Sequence, residues 1–547
     1  MSAELGGLAA RIYAENQALA AGMLARNYAR IRSPILAQYA PGVREELLAE
    51  LERLGMTPAA NLRLAELHRA LQAAHLSHAW DEQAIRDHAE NYSRLCGRMS
   101  RLEDREGFAR YLGIDPPAGR TLSARGRAAR LADPLWWRRQ LRKRWTRSAE
   151  NGMRELGVVR RGREPYATDQ AVSHRRAQKR RAQEFRERSS LVNELGEQLE
   201  LVAVAERSLA NPAIRRGEFM TRVRGFEEIA RDLGHVAEFV TLTAPSVFHA
   251  YLAAGGRNPA YGRAQVREAQ QWLCRMWARA RAKLKRLSVL VYGFRIAEPH
   301  HDATPHWHLL LFARPRDTDQ VRGVLQGVAL SEYGGEPGAR EHRCRFERID
   351  PAKGSAAGYV AKYVSKNIDG AGSIAAAEDG ETGNQVLEGI KRVDAWASIH
   401  GIRQFQQIGG PPVGLWREAR RLREELADLD LERARAAADR GDWRHFVRCV
   451  GGIAAGRRTN IKLERQESGE RNRYGEHRPA RIVGLRCASS VAVSRPHTWR
   501  LVRKCSGAFS DSFSHLGPVA ITVRGASRAG EPSAWSNPLE TSQAGPH

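Results

Sequence analysis

The stretch "TPHWHLLLF" at residues 304–312 constrains the fold most, because two histidines stand one residue apart at the start of an apolar run. Side chains alternate between the two faces of a β-strand, so positions i and i+2 share a face. A strand here would place His306, His308, Leu310 and Phe312 on one face. Two imidazoles on one face are typical either of a metal site or of histidines hydrogen-bonded at a strand end.

The run before it, "SVLVYGFRIAEPH" (288–300), predicts a second strand that is joined to the first by the loop "PHHDATP". In an antiparallel hairpin, Glu298 can lie opposite His306 while Ile296 lies opposite His308, and directly opposed residues share a face. Two imidazoles and one carboxylate leave open positions on a divalent ion, as a catalytic metal requires. We therefore predict that Glu298, His306 and His308 bind a metal ion. The runner-up ligands lie in the loop and are His300, His301 and Asp302.

Strand and helix patterns alternate on both sides of this hairpin. Strands are predicted at 238–248 and 342–350, and helices at 264–287, 319–330 and 356–368. The resulting order of strand, helix, two strands, helix, strand and helix predicts an α+β fold with an antiparallel sheet backed by helices.

At 547 residues the chain is long enough for several hydrophobic cores. Its composition shifts from Ala, Leu, Arg and Glu at helical spacing to a C-terminal part rich in Gly, Ser, Arg and Pro. Five regions are predicted: a helical region (1–130), a basic helical DNA-binding region (131–215), a catalytic domain (216–425), a charged helical segment (426–465) and a loosely ordered basic tail (466–547).

The charge balance points to a polyanionic partner, since 88 Lys and Arg outnumber 62 Asp and Glu for a formal net charge of +26. Nucleic acid is the leading candidate. No stretch approaches the roughly 20 apolar residues of a membrane-spanning helix. The N-terminus lacks the pattern of a signal peptide, and the six cysteines form no C-x-x-C pair. We therefore expect a reducing cytoplasm, without a disulfide framework or a cysteine zinc site.

A segment at 133–148, "DPLWWRRQLRKRWTRS", interleaves tryptophan with arginine and lysine. Basic side chains neutralise phosphates, and aromatic faces stack on exposed bases. The competing interpretation is a solvated basic helix whose tryptophans belong to the core. The candidate DNA-binding residues are Trp136, Trp137, Arg138, Arg139, Arg142, Lys143 and Arg144.

The segment "GYVAKYVSKNIDG" (358–370) carries two tyrosines four residues apart, which would share one face of a helix. Such a pair is ordinarily packing. Downstream of a metal site, however, Tyr359 and Tyr363 can act as nucleophiles toward a DNA phosphate, and a phenol with a pKa near 10 needs help at neutral pH. Lys362 and Lys366 supply positive charge that favours the phenolate, so all four are candidate catalytic residues. A buried stripe is predicted at Val360, Val364 and Ile368.

These motifs resemble those of the HUH endonucleases that initiate rolling-circle replication. "PHWHLLLF" is similar to their His-hydrophobic-His motif, "EFVTLTAP" to their first motif, and "GYVAKYVSKN" to their tyrosine motif in its two-tyrosine form. Together with "DAWASIHGIRQFQQIGGPPVGLWREAR" (394–420), they resemble the replication gene A protein family of temperate tailed phages.

The resemblance implies a ferredoxin-like catalytic core with five antiparallel strands. It implies an enzyme that nicks one strand at a phage origin, stays joined to the 5′ phosphate and leaves a 3′ end for the replicative polymerase. The implied metal ligands are Glu298, His306 and His308, with Mg²⁺ or Mn²⁺ as the ion, and the implied nucleophiles are Tyr359 and Tyr363. Since the chain has no Walker-type phosphate loop, a host helicase is expected to separate the strands in the bacterial cytoplasm.

Three alternatives remain open at this point. A two-tyrosine HUH transposase or a plasmid relaxase would use the same chemistry for a different biological outcome. A non-catalytic basic DNA-binding protein with a structural zinc ion would use neither tyrosine. A metal-dependent hydrolytic nuclease would cut DNA by attack of water and form no protein–DNA adduct.

Overall fold

A computed structural model of the protein describes residues 81–119, 121–352, 354–367 and 386–504. The helices predicted within residues 1–80, and the part of the predicted tail beyond residue 504, lie outside the described residues. Within these ranges, no helix has the length and apolar character needed to cross a membrane.

The described chain opens with five helices: α1 (Glu82–Arg98), α2 (Leu102–Tyr111), α3 (Ala124–Leu131), α4 (Pro134–Leu156) and α5 (Asp169–Glu187). Local sequence sets the bounds of α4. The Asp133 side chain accepts a hydrogen bond from the N–H of Leu135 at 2.9 Å, beside a proline that favours the first helical turn. Gly157 ends the helix with φ of 80°, a left-handed conformation that glycine adopts without strain. The predicted helical character of this part is confirmed for the described residues.

Two short strands follow, β1 (Ser189–Asn193) and β2 (Gln198–Glu200), and then helices α6 (Leu201–Glu206) and α7 (Pro212–Asp232). The region 131–215 was predicted to be helical, and the two strands are an exception to that prediction. β1 pairs both with β2 and with residues 499–503, about 300 residues further along the chain. Local periodicity does not report a pairing over such a separation.

The central part contains β3 (Val236–Thr243), α8 (Val266–Arg286), β4 (Tyr292–Pro299), β5 (Pro305–Ala313), α9 (Thr318–Ala329), α10 (Ala339–His342), β6 (Cys344–Arg348), α11 (Ala356–Asn367), α12 (Val386–His400) and β7 (Phe405–Ile408). Its five strands form one sheet in the order β6-β3-β5-β4-β7, and every neighbouring pair is antiparallel. The predicted α+β class is confirmed, although β7 was not predicted. The ferredoxin-like assignment stays a prediction.

Helices cover both faces of this sheet. On the first face, Phe239, Phe294 and Phe312 pack in one core with α7 and α11. On the second face, Trp307 and Leu309 pack in another core with α4, α8 and α9. Because both faces are covered, β4 and β5 are buried along their whole length, which explains the continuous apolar run "LLLF".

The C-terminal part contains α13 (Val413–Ala419), α14 (Leu429–Asp439), α15 (Trp443–Cys449), β8 (Ile461–Gln466), β9 (Arg481–Cys487), β10 (Ser490–Val493) and β11 (Trp499–Arg503). Strands β10, β9 and β8 form a second sheet, and β11 joins β1 and β2 in a third. The predicted loosely ordered tail from 466 is therefore wrong over 481–503. Leu485 and Ala492 are buried in the same core as Trp416, which gives these short strands an apolar support.

Candidate active site

The β4–β5 hairpin has the register that the sequence predicts. Glu298 pairs with His306, and Ile296 pairs with His308. All three site residues are buried. Their relative solvent exposures are 5% for Glu298, 6% for His306 and 8% for His308. The hairpin thus brings two imidazoles and one carboxylate together on the first face of the sheet, away from bulk water.

The potential ligand atoms of these three residues all lie within 4.8 Å of one another. The two Nε2 atoms of His306 and His308 are 3.0 Å apart, and Nε2 of His308 is 3.4 Å from Oε2 of Glu298. Two ligand atoms at right angles on one ion, each about 2.1 Å from it, are about 3 Å apart. The cluster therefore fits a divalent ion.

A threonine on the neighbouring strand orients one imidazole. Thr241 on β3 pairs with His308, and its Oγ1 lies 3.1 Å from Nδ1 of that histidine. A proton on Nδ1 that is donated to Thr241 leaves the lone pair on Nε2, the atom that faces His306 and Glu298. Such hydrogen bonds commonly fix the tautomer of metal-binding histidines.

The runner-up ligand Asp302 has a different role. Its carboxylate is fully buried and forms a salt bridge with Arg154 at 3.4 Å. Burial alone would raise the pKa of Asp302, but the Arg154 guanidinium and His249 outweigh burial and hold that pKa well below its ordinary value. Asp302 is therefore a structural ion-pair partner and does not belong to the metal cluster.

The two loop histidines also differ from each other. Nδ1 of His301 accepts a hydrogen bond from the backbone N–H of Arg161 at 3.3 Å, which is a structural contact. The His300 ring lies 4.1 Å from the His306 ring and therefore borders the cluster. Among the described residues, the set that could hold a metal ion is Glu298, His306 and His308.

Helix α11 carries the tyrosines and is fixed over the same face of the sheet. At its start, the Glu227 carboxylate on α7 accepts hydrogen bonds from the N–H groups of Ala356 and Ala357, at 2.9 and 3.2 Å. A carboxylate here satisfies free donors and interacts favourably with the helix dipole. Val360 and Val364 are buried, as the predicted stripe requires, while Ile368 lies outside the described residues.

The helix places Tyr363 directly beside the cluster. The Tyr363 ring lies 4.5 Å from the His308 ring and stacks on Phe239 at 5.4 Å. Burial raises the pKa of Tyr363 to about 12, and the nearby carboxylates of Glu298 and Glu347 act in the same direction. The phenol is therefore neutral at pH 7.

Tyr359 lies one turn earlier on α11, and its hydroxyl donates a hydrogen bond to Oε1 of Glu347 at 3.1 Å. This hydrogen bond raises the pKa of Tyr359. Glu347 on β6 was missed from the sequence. Its signal was strand alternation, because Glu347 and the buried Ile349 are two residues apart on one side of the chain.

The predicted Lys362 and Lys366 lie within α11, but their side chains lie outside the described part of the structure. Their proposed influence on the tyrosines stays a prediction.

The tryptophans of α4 do not have the predicted role. Trp136 and Trp137 are 6% and 0% exposed, and the indole N–H of Trp137 donates to the carbonyl of Leu131 at 2.7 Å. The prediction that these two rings stack on DNA bases is therefore wrong, because both rings are buried in the core. The signal was present, since Trp137, Leu141 and Trp145 repeat at four-residue steps along one buried side of the helix.

The predicted cations of α4 are divided between paired and exposed side chains. Arg138 and Arg142 both hydrogen-bond the Glu82 carboxylate on α1, with Nε of Arg138 at 2.8 Å. Two of the predicted phosphate contacts thus have an internal partner. The other three are Arg139 and Lys143, which are exposed, and Arg144, which is half-buried.

Residues 68–371 match the model of the bacteriophage replication gene A protein family. The chain belongs to this family. The matched range covers more than half of the chain and includes the candidate metal ligands and both tyrosines. Family membership confirms the resemblance that the sequence motifs indicate.

Several known proteins are similar to this chain. The Replication gene A protein of Escherichia phage 186 is 40% identical over 411 residues, which cover 73% of this chain and 57% of that protein. The Replication protein of Haemophilus phage HP1 is 38% identical over 383 residues, covering 69% and 48%. A Probable replication endonuclease from a prophage-like region of Shigella boydii is 36% identical over 397 residues, covering 69% and 49%. The chain thus spans about half the length of these relatives. No solved structure matches the chain significantly.

Proposed function

We propose that this chain is an endonuclease that nicks one DNA strand at a phage replication origin by tyrosine transesterification and so initiates rolling-circle replication. Membership of the replication gene A family favours this outcome over a transposase or a relaxase. The name of the Shigella boydii relative, a Probable replication endonuclease, agrees with it. The observation that carries the proposal is the position of Tyr363, whose ring lies 4.5 Å from the ring of His308.

The proposed nucleophile is the phenolic oxygen of Tyr359 or Tyr363. A bond forms between this oxygen and the phosphorus, and the bond between phosphorus and the 3′ oxygen breaks. The 3′ oxygen leaves with the electron pair and takes a proton from solvent. The products are a 5′-phosphotyrosine link and a free 3′-hydroxyl, so the energy of the phosphodiester is conserved for later rejoining.

A base must accept the phenolic proton, because the pKa values of both tyrosines lie above their ordinary value. For Tyr359, Glu347 is already the hydrogen-bond acceptor at 3.1 Å. Transfer of the proton to this carboxylate during attack would avoid a free phenolate at neutral pH. Glu347 is therefore proposed as the general base for Tyr359.

Glu298, His306 and His308 would hold a divalent cation, Mg²⁺ or Mn²⁺, which supplies positive charge to the phosphate oxygens when bound. The chain's own residues orient this cluster, since Thr241 fixes the His308 ring and the register of the hairpin fixes Glu298 opposite His306. Burial of all three side chains limits competition by water at the reacting phosphate.

Two tyrosines would let the enzyme make a second cut while the first tyrosine still carries a strand. In that scheme, the 3′-hydroxyl serves as the primer end for the replicative polymerase of the host. A separate host helicase would separate the strands. Origin DNA, single-stranded or locally melted, is the proposed substrate.

Retention of labelled DNA after boiling in detergent tests the covalent step. A 5′-phosphotyrosine link survives denaturation, so an oligonucleotide labelled on the 3′ side of the cut should migrate with the protein in a denaturing gel. The double variant Tyr359→Phe, Tyr363→Phe should form no adduct, because it lacks both oxygens but keeps both rings. Tyr111→Phe, which changes an exposed tyrosine on α2, is the matched control and should form normal adduct.

Two outcomes would overturn the proposal. Cleavage by the wild-type chain without any retained label would identify water as the nucleophile. Normal activity of the double phenylalanine variant would leave both tyrosines with a packing role only.

A further inference from the structure

A wide groove lies on the side of the molecule where the central sheet ends at β7. It has a volume of about 1450 Å³, and its walls are formed by α5, the first half of α7, residues 403–417 and residues 456–457. We call it the β7 groove. Nine arginine or lysine side chains line it, against two carboxylates, Glu218 and Asp394.

Both carboxylates of the β7 groove are already engaged by cations. Arg417 donates two hydrogen bonds to Glu218, at 3.0 and 2.7 Å. Arg175 and Lys179 hold Asp394 at 2.8 and 2.9 Å. Of the remaining cations, Arg222 also lies 3.6 Å from Glu218, and Arg180 lies 3.9 Å from Glu184. The uncompensated positive charge of the groove therefore comes from the other lining arginines.

Three of these cations are free to bind a ligand. Arg215, Arg403 and Arg457 are exposed, and none of them has an acidic partner among the described residues. Guanidinium groups suit phosphate, since they present several donors in a planar fork. Concave surfaces of one sign also concentrate their field on a ligand of opposite charge. The chemistry of the walls thus selects a phosphate-bearing ligand.

The wall of the groove that is formed by Phe405 and α7 lies on the same face of the sheet as the candidate metal cluster. Phe405 on β7 pairs with Ile296 on β4, which pairs with His308 on β5. Directly paired residues share a face, and neighbouring strands are separated by about 4.8 Å. The β7 groove therefore begins about 10 Å from His308, two strands away across the same surface.

The floor of the groove carries groups that suit unpaired bases. The Phe405 ring is half-buried and packs edge-on against Phe219 at 5.1 Å, and the Gln407 carboxamide accepts a hydrogen bond from Arg222 at 3.1 Å. Aromatic rings and amides at a groove floor contact bases only when these are not stacked within a duplex. The arrangement favours a single strand over a duplex.

We propose that the β7 groove binds a segment of single-stranded DNA through its phosphates, with one base against Phe405. The inference rests on the proposed function in one respect, since the bound segment belongs to the strand that is cut. It also assigns a role to two sequence segments that the metal and tyrosine motifs leave unexplained, "SHRRAQKRRAQ" (173–183) and "RQFQQIGGPPVG" (403–414).

Binding of a fluorescent single-stranded oligonucleotide, measured by anisotropy over a range of salt in excess chelator, tests the groove. The groove variant combines Arg215→Gln, Arg403→Gln and Arg457→Gln and so removes three proposed phosphate contacts. The slope of log K against log[salt] should fall by about 2, since each contact contributes roughly 0.7. Phe405→Leu keeps an apolar side chain against Phe219 but removes the aromatic face, and it should weaken binding by about 5-fold or more. The same variants should change duplex binding less.

The matched control changes three exposed arginines on α8, which covers the opposite face of the sheet: Arg275→Gln, Arg281→Gln and Arg286→Gln. This control should leave the salt slope unchanged. An equal loss of slope in the control, or an unchanged slope in the groove variant, would overturn the proposal. Tighter binding of poly-glutamate than of single-stranded DNA would instead identify an acidic protein as the ligand and also overturn it.

Because these measurements are made in chelator, they are independent of cleavage. Absence of a covalent adduct from the wild-type chain would refute the proposed function and leave the groove standing. An unchanged affinity of the groove variants would refute the groove and leave the function standing.

Discussion

The β4–β5 hairpin contains two clusters of histidine and carboxylate, and they have different roles. The strand cluster, Glu298, His306 and His308, lies on the paired strands. The loop cluster, His300, His301 and Asp302, lies between them. Both contain buried carboxylates, but in the loop cluster Arg154 neutralises Asp302, while in the strand cluster Glu298 lies beside two imidazoles. What neutralises a buried carboxylate thus decides whether it is structural or a candidate ligand.

The loop cluster serves the strand cluster by holding the hairpin in place. Arg154 on α4 donates to the carbonyl of Asp302 at 2.6 Å, to Oγ1 of Thr304 at 2.7 Å and to the carbonyl of Ala264 at 2.9 Å. These contacts tie the turn between β4 and β5 to the helical layer on the second face. The register that aligns Glu298 with His306 depends on this turn.

Loss of the strand cluster should have the largest effect. The double variant His306→Ala, His308→Ala removes two ligands and should lower the rate of adduct formation by roughly 1,000-fold or more, since a metal ion contributes several kcal/mol to such reactions. DNA binding should be largely retained, because affinity comes from distributed cations. A time course of adduct formation in denaturing gels, with anisotropy for binding, measures both.

His301→Gln in the loop cluster is the matched control and should retain adduct formation. If the double alanine variant still cut DNA in excess chelator, the strand cluster would not be a metal site.

Loss of Arg154 should affect stability rather than chemistry. Arg154→Met leaves the Asp302 carboxylate buried without its cation and should lower the free energy of unfolding by about 3–5 kcal/mol, measured by urea denaturation. Adding Asp302→Asn should recover part of this loss, because the unpaired charge is removed. If Arg154→Met were as stable as the wild type, Arg154 would not be the group that neutralises Asp302, and the contrast between the loop cluster and the strand cluster would be wrong.

The destabilisation by Arg154→Met should also depend on pH. In the wild type the pKa of Asp302 is lowered, so its stabilising contribution is present above about pH 4 and is lost as the pH falls through the folded value. In the variant, burial instead raises that pKa, and protonation relieves the penalty as the pH falls. The difference in unfolding free energy should therefore be smaller at pH 4 than at pH 7, by on the order of 1 kcal/mol. A difference that is independent of pH would contradict this.

The smallest effect is expected at the threonine that orients the strand cluster. Thr241→Val removes the hydrogen bond to His308 with little change in volume, and it should weaken Mn²⁺ binding by about 10- to 100-fold. Calorimetric titration with Mn²⁺ measures this affinity. Thr146→Val on α4 removes a threonine hydrogen bond to the carbonyl of Arg142, on the other face of the sheet. It is the matched control and should bind Mn²⁺ normally.

Much of the active site could be predicted from the sequence, because strand alternation and hairpin register are local rules. They gave the pairing of Glu298 with His306 and of Ile296 with His308, and helical spacing gave the buried pair Val360 and Val364. Glu347 could not be assigned in the same way. Strand alternation indicates the face on which Glu347 lies, but its approach to Tyr359 depends on the position of β6 at the edge of the sheet, which no local pattern reports.

Basic segments were the least predictable part. The α4 segment and the β7 groove are both rich in arginine, but the α4 tryptophans are buried and two of its arginines share Glu82. In the groove, the distant residues Arg215, Arg403 and Arg457 come together only in the folded chain. Charge composition reports how many cations are present, whereas tertiary packing decides which of them remain unpaired.

The site of covalent attachment tests the central claim most directly. Trypsin cleaves after Lys353, Lys362 and Lys366, so each tyrosine is released on its own peptide, 354–362 or 363–366. After nuclease digestion of the adduct and trypsin treatment, mass spectrometry should find a phosphate-linked nucleotide on Tyr359, on Tyr363 or on both. Each single phenylalanine variant should carry it only on the remaining tyrosine, and the double variant should carry none. A nucleotide attached elsewhere, or a cut strand with neither peptide modified, would contradict the account.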